Sequence, residues 1–254
     1  MKPFAYHASP CSIPDYKAEA HRGAWEYMAS PGSWWTGAER VAIAAASRAA
    51  TNCPLCEERK VALSPHGADG AHAAPESVPG SVSLDDKVTD AIHRITTDSA
   101  RLTRSWVEGL IDETFSYGHY VEMVSIIVNL ASIDSLHRVL GLALEPLPDP
   151  LPGEPDGYLP PGAAMDVAWV PMIYPANLTE KEADIYLGQP EMGHVIRAMS
   201  LVPDAVRWLN RLSEAHYLPT DQVMDMSASG HLSLSRMQTE LIAGRTSILN
   251  DCFY

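Results

Sequence analysis

Two cysteines three positions apart, in Cys53-Pro-Leu-Cys56, are the side chains of this sequence best suited to chemistry. A Cys-x-x-Cys pair can close into a disulfide and reopen, or it can offer two thiolates to a metal. Zinc is the weaker expectation here. Four ligands are usual, no second Cys-x-x-Cys follows, and no histidine pair stands at metal spacing nearby. Redox work is therefore expected of Cys53 and Cys56, with two half-buried helix cysteines of no chemical role or a metal- or substrate-binding pair as the alternatives, and neither a metal nor a cofactor is assigned. The other two cysteines are Cys11 and Cys252, and a total of four is too sparse for a disulfide scaffold. Cys252 closes the stretch SRMQTELIAGRTSILNDCFY, Ser235 to Tyr254, in which Glu240 stands twelve positions earlier. Twelve residues at about 100° each return nearly to the same side of a helix, so the two share a face.

The elements that must position these groups read as helices. DYKAEAHRGAWEYMA, Asp15–Ala29, has aromatic and apolar residues at helical spacing and is broken by PGSWW. Thr36 is placed to cap an Ala-rich helix over Ala38–Asn52, and residues Glu57–Leu63 continue helically. HGADGAHAAPESVPGS reads as a loop. Ser83 is placed to cap a helix over Leu84–Thr97, and another helix spans about Ala100 to Ile111. Tyr120–Leu142 is long and apolar on most faces, which predicts a central buried helix. Nine of the chain's 20 prolines fall between Glu145 and Pro175, so that stretch predicts an extended connector. Helical periodicity returns near Gly193, and a last helix covers Ser235–Asn250. VAWVPMIY is the one short strand candidate, weakened by its proline. The fold class is all-α, with a helical module over 1–145, a Pro-rich linker over 146–190 and a second, partial module over 191–254.

With 254 residues, 46% of them hydrophobic, the chain can bury a sizeable core. The net charge of −14 argues against nucleic acid or an anionic membrane surface as a partner. No apolar run approaches the roughly 18–20 residues of a membrane span, and no secretory signal opens the chain. A soluble cytoplasmic protein is the expectation.

TGAERVAIAAASRAATNCPLC, YVEMVSIIVNLASIDSLHRVL and SRMQTELIAGRTSILNDCFY each open near a glutamate and continue with small and aliphatic residues. The first and third arrive at a cysteine, and the second has Asp134 twelve positions after Glu122. On these residues the chain resembles the alkylhydroperoxidase D and carboxymuconolactone decarboxylase superfamily. The resemblance touches about two thirds of the chain. It implies an orthogonal helical bundle, a homo-oligomer, and a peroxidase or disulfide reductase acting on a small peroxide or disulfide, with the thiol reductant open. It also implies the motif Glu-x11-Cys-x-x-Cys-x-x-x-His, in which glutamate and histidine relay protons to the cysteine pair.

Both copies depart from that motif. Glu39 lies fourteen residues before Cys53, and the two extra residues rotate it by about 200°. Lys60 occupies the histidine position. In the last segment Glu240 and Cys252 have the family spacing, and the sequence stops where the second cysteine would stand. Three explanations stay open: a shortened piece of a longer chain, natural loss, or a UGA codon that the natural protein reads as selenocysteine. The resemblance leaves a second function open as well, a decarboxylase-like lyase or a silent binding subunit.

The remaining candidates have two readings each. Glu39 is a helix-start acid or a relay. Glu122, in an apolar helix, is buried with a partner or edges a pocket. His137 is a core histidine or forms an acid–base pair with Asp134. His93, in TDAIHRITTD, is expected on a solvated helix face.

Overall fold

The computed structural model describes residues 3–230, 232–250 and 252. Helix α1 covers Asp15–Ala29 and stops at Ser30, before Pro31. Thr36 then starts α2, Gly37–Ala50, through a capping box in which its hydroxyl accepts from the Glu39 N–H and the Glu39 carboxylate accepts from the Thr36 N–H. Helix α3 is Pro54–Val61, with Cys53 as its N-cap and proline at its first position. The connection from Ala62 to Asp85 carries no helix or strand. Helix α4, Asp86–Thr97, is capped by Asp85, two residues after the cap expected at Ser83. The helix expected over Ala100–Ile111 is divided into a 3-10 turn at Ser99–Arg101 and α5, Arg104–Leu110, because Thr103 leaves the helical path and caps the second piece.

Helix α6, Tyr117–Val139, is the buried helix expected at Tyr120–Leu142. Met123, Ile126, Ile127, Leu130 and Ile133 join one core with α1, α2 and α4, while Val121 on another side packs with Val170, Leu201 and Val202. Helices α7, His194–Arg197, and α8, Pro203–His216, divide the helical stretch expected from about Gly193, with the proline beginning α8. Leu212 of α8 sits in the same core as α1 and α6. Helix α9, Arg236–Leu249, starts at a Ser235 capping box and buries Arg236 and Thr239 while exposing Met237, Leu241, Ile242, Ile248 and Leu249.

The Pro-rich segment is extended, as its composition predicts. Its sheet is β1, Ala163–Ala164, antiparallel to β2, Met172–Ile173, in the register Ala163–Ile173 and Ala164–Met172. Proline has no N–H, so the segment has few donors, and three of them reach the α1–α2 corner. Leu151 donates to Ala29 O at 2.8 Å, Asp156 to Gly32 O at 3.2 Å and Gly157 to Ser33 O at 2.8 Å. Trp25 Nε1 returns a bond to Pro146 O at 2.9 Å. The connector thereby lies along the corner between α1 and α2.

That corner is pinned to α6. Glu122, fully buried, accepts from the Ser33 and Trp34 N–H groups at 3.0 and 2.8 Å and pairs with Arg40 at 3.5 Å. Burial raises the Glu122 pKa, and the Arg40 charge and the backbone donors oppose the rise. A Cβ on Gly32 would stand 1.9 Å from Glu122 Oε1, so only glycine fits there. At the far end of α2, Arg48 holds Asp134 bidentately, with Nε and Nη2 at 2.9 and 2.8 Å.

A second buried network joins the N-terminal residues to α1, α6 and α8. Its links are Ser132–His216 (2.8 Å), His216–His21 (2.6 Å), His21–Tyr6, Tyr6–His137 (3.2 Å) and His137–Ala143 O (2.7 Å). The Ala143 carbonyl can only accept, so with neutral rings every proton is assigned. His137 Nδ1–H donates to it, Tyr6 O–H to His137 Nε2, His21 Nδ1–H to Tyr6, His216 Nε2–H to His21 Nε2, and Ser132 O–H to His216 Nδ1. Burial, followed by the neighbouring His216, His137, Lys17 and Arg22, lowers His21 to about 3. Burial and Lys17 lower His216 to about 4.

Two outcomes follow. Both histidines have folded pKa values below the unfolded value of about 6.5, so the unfolded chain binds more protons once the pH drops under 6.5. Their contribution is fully present above pH 6.5 and is lost as pH falls toward 4. The unfolding free energy from urea titration should therefore fall from pH 7.5 to pH 5, by on the order of 1–2 kcal/mol for His21, and His216→Gln should flatten the dependence. Arg48→Met leaves the buried Asp134 carboxylate without its main partner and should cost about 3 kcal/mol in chemical denaturation. Arg48→Met combined with Asp134→Leu should recover most of that loss.

Candidate functional site

Cys53 and Cys56 are both buried, and no disulfide links them. The Ala-rich α2 carries the chain to this point. Its small side chains let α4 and α6 approach closely, and Thr51 and Asn52 then turn into α3. Cys53 is the N-cap and Cys56 lies in the first turn, where unpaired helix N–H groups favour a thiolate.

Two histidines meet the cysteines. His72 comes from the Ala62–Asp85 connection, and its Nδ1 lies 3.6 Å from Cys53 Sγ and 3.8 Å from Cys56 Sγ. Its Nε2 is 3.0 Å from Asp90 Oδ1. A carboxylate accepts, so Nε2 carries a proton; in the neutral ring Nδ1 turns its lone pair toward the sulfurs, and in the protonated ring it donates to a Cys53 thiolate. Asp90 is itself paired with Arg59. Burial would raise the Asp90 carboxyl, but the bonds from Arg59 and His72 outweigh it and keep it below the usual range. His93, on α4, has Nδ1 at 3.3 Å from Cys56 Sγ. The rings of His72 and His93 are 4.0 Å apart between centroids.

The environment separates the two thiols. Burial would raise Cys53, but the Ala73 N–H at 3.3 Å, His72 and the Cys56 N–H outweigh it and bring the thiol to about 7. Burial pushes Cys56 up to about 11. Burial also lowers His93 to about 4, with the nearby His72 adding to the effect, so its imidazole is neutral at pH 7. A cavity of about 740 Å³ lies alongside, lined by Arg48, Thr51, Asn52, Ala74, Glu76 and Arg138 among others. Its wall includes the chain neighbours of Cys53 and Ala73.

His93 corrects the sequence reading. It is fully buried rather than solvated, because α4 packs between α2, α3 and α6 and the His93 side chain lies against Cys56. The expectation that no histidines accompany the cysteines is corrected with it. The partners come from 16 and 37 residues beyond Cys56, through a long loop and a neighbouring helix, and no local spacing announces them. The HGADGAH loop and a histidine next to the buried Ile92 were the available signals.

The other candidate residues lie elsewhere. Glu39 is used in the cap of α2, about 21 Å of helix away from Cys53. Glu122 is spent on Arg40 and the Ser33–Trp34 backbone. His137 bonds Tyr6 and Ala143 O, while Asp134 is taken by Arg48, so the two do not form a pair. Glu240 binds Tyr217 and Arg236, which hold its carboxyl below the usual range. Cys252 is exposed past the end of α9, more than two helical turns beyond Glu240. Of the expected site residues, the structure brings Cys53 and Cys56 together and adds His72 and His93.

No helix among the described residues is long and apolar enough to cross a membrane. No family model, no curated protein and no solved structure matches the chain.

Proposed function

We propose that the chain is a thiol-dependent oxidoreductase, a peroxidase or disulfide reductase similar to alkylhydroperoxidase D, working through Cys53 and Cys56. One observation carries the reading. Two unbridged cysteines at Cys-x-x-Cys spacing open a helix, each facing an imidazole nitrogen within 3.3–3.8 Å. The helical fold and the resemblance of the segments around residues 36–63 and 235–254 support it.

With a peroxide, the Cys53 sulfur attacks one oxygen and the O–O bond breaks. An alcohol leaves with one proton, and Cys53 becomes a sulfenic acid. Cys56 then attacks that sulfur, water leaves, and a disulfide forms. The peroxide gains the two electrons that the thiols lose, and an external thiol returns them. His93 is placed to take the Cys56 proton, the task that the family motif gives to its own histidine. The neighbouring cavity reaches Asn52 and Ala74, the chain neighbours of Cys53 and Ala73, while Cys53 itself is fully buried. Like the family, the working form is a homo-oligomer in a reducing, cytoplasmic setting.

The test is a thiol count on a Cys11→Ser, Cys252→Ser background, so that only the pair is read. Mild peroxide should remove about two thiols per chain, restored by a dithiol reductant. Cys53→Ser should prevent disulfide formation, and Cys56→Ser should leave Cys53 as a trappable sulfenic acid. A pair that stays reduced under peroxide overturns the reading.

A further inference from the structure

The same four side chains have a second property that the redox reading does not use. The nearest ligand atoms of Cys53, Cys56, His72 and His93 all lie within 4.8 Å of one another. Zinc bound tetrahedrally at about 2.3 Å from sulfur and about 2.0–2.1 Å from nitrogen requires sulfur-to-nitrogen edges of about 3.6 Å. The structure has such edges at 3.6, 3.8 and 3.3 Å. We infer that reduced Cys53 and Cys56, with His72 and His93, form a closed Cys2His2 site for one Zn²⁺.

Three further observations point to a metal. His72 is oriented from behind. Asp90 holds its Nε2 proton, so the Nδ1 lone pair faces the sulfurs, which is the usual carboxylate–histidine support of a metal ligand. His93 is fully buried, with sulfur as the neighbour of Nδ1 and no hydrogen-bond partner for Nε2. A metal at Nδ1 would replace the weak S–H···N contact there, and Nε2 would keep the ring proton. Charge then settles the ion class. Two buried thiolates are costly alone, but two thiolates, two neutral imidazoles and a divalent cation sum to zero. A soft S2N2 tetrahedron selects zinc over magnesium or calcium, which require oxygen ligands.

The site also accounts for the connection from Ala62 to Asp85. A segment of that length with no helix or strand is uncommon in a packed domain unless something holds it. A metal bonded to His72 would fasten its middle to α3 and α4. Metal and disulfide compete for the same sulfurs, so the oxidised pair cannot hold the ion. The metal site itself stands whether or not the pair cycles.

The experiment uses the full-length, reduced protein. Cobalt chloride is titrated anaerobically, followed by zinc chloride. One Co²⁺ per chain should bind with the visible absorption of a tetrahedral thiolate site, and one equivalent of Zn²⁺ should bleach it. Zinc should raise the thermal midpoint of the wild type. His72→Ala and His93→Ala should each weaken zinc binding at least 100-fold, and Asp90→Asn about 10-fold, while Cys11→Ser leaves it unchanged. The wild-type titration decides even if a variant misfolds. Absence of a stoichiometric tetrahedral Co²⁺ spectrum overturns the site, as does unchanged zinc affinity after replacing both Cys53 and Cys56 with serine. Two thiols lost to peroxide without metal binding remove the metal site alone. Metal binding without peroxide-dependent thiol loss removes the redox reading alone.

Discussion

The registration of α2 against α6 is the constraint on which the rest of this structure depends. Arg40 meets Glu122 near the start of both helices, and Arg48 meets Asp134 further along both. The order of the pairs makes the two helices run in the same general sense. Because both carboxylates are buried, sliding one helix by a turn would strand two charges in the core. Everything at the end of α2 inherits that position. Thr51 and Asn52 follow within a turn of Arg48, so the place where Cys53 begins α3 is set by an ion pair that touches neither sulfur.

The same contacts show why a sequence spacing can mislead. Glu122 and Asp134 stand twelve apart, as Glu240 and Cys252 do, and the pattern invites a common explanation. On α6 the period serves two arginines on a neighbouring helix. On α9 the glutamate is taken up by Tyr217 and by Arg236 one turn away. A period of twelve reports that two residues share a helix face, and what meets that face is decided by other elements.

Local signals were legible. The cap at Thr36, the helix start near Ser235, the proline stop after α1 and the apolar length of α6 each depend on neighbours within a few residues, and each lies within three residues of where the sequence places it. The cysteine pair was legible for the same reason. His72 and His93 were not, because their role comes from tertiary packing across a long irregular loop. His72 lies in a stretch of alanine and glycine with no periodic trace, and His93 lies on the buried face of α4, where nothing local shows that the neighbour is a sulfur. The division at Pro203 of the helical stretch that begins near Gly193 could have been read from the proline alone, whose ring clashes with the carbonyl four residues earlier and favours a helix start.

The chain of bonds from Ser132 to Ala143 has one polarity, imposed by a single carbonyl. With neutral rings each gives one proton and takes one, so no link can reverse while that carbonyl ends the chain. Tyr6 is the joint in the middle, and it belongs to the residues that precede α1. Lifting that segment away would leave His21 and His137 each short of a partner inside the core, two orphaned groups on two different helices. The seating of the N-terminal residues and the packing of α1 against α6 and α8 are therefore one cooperative event.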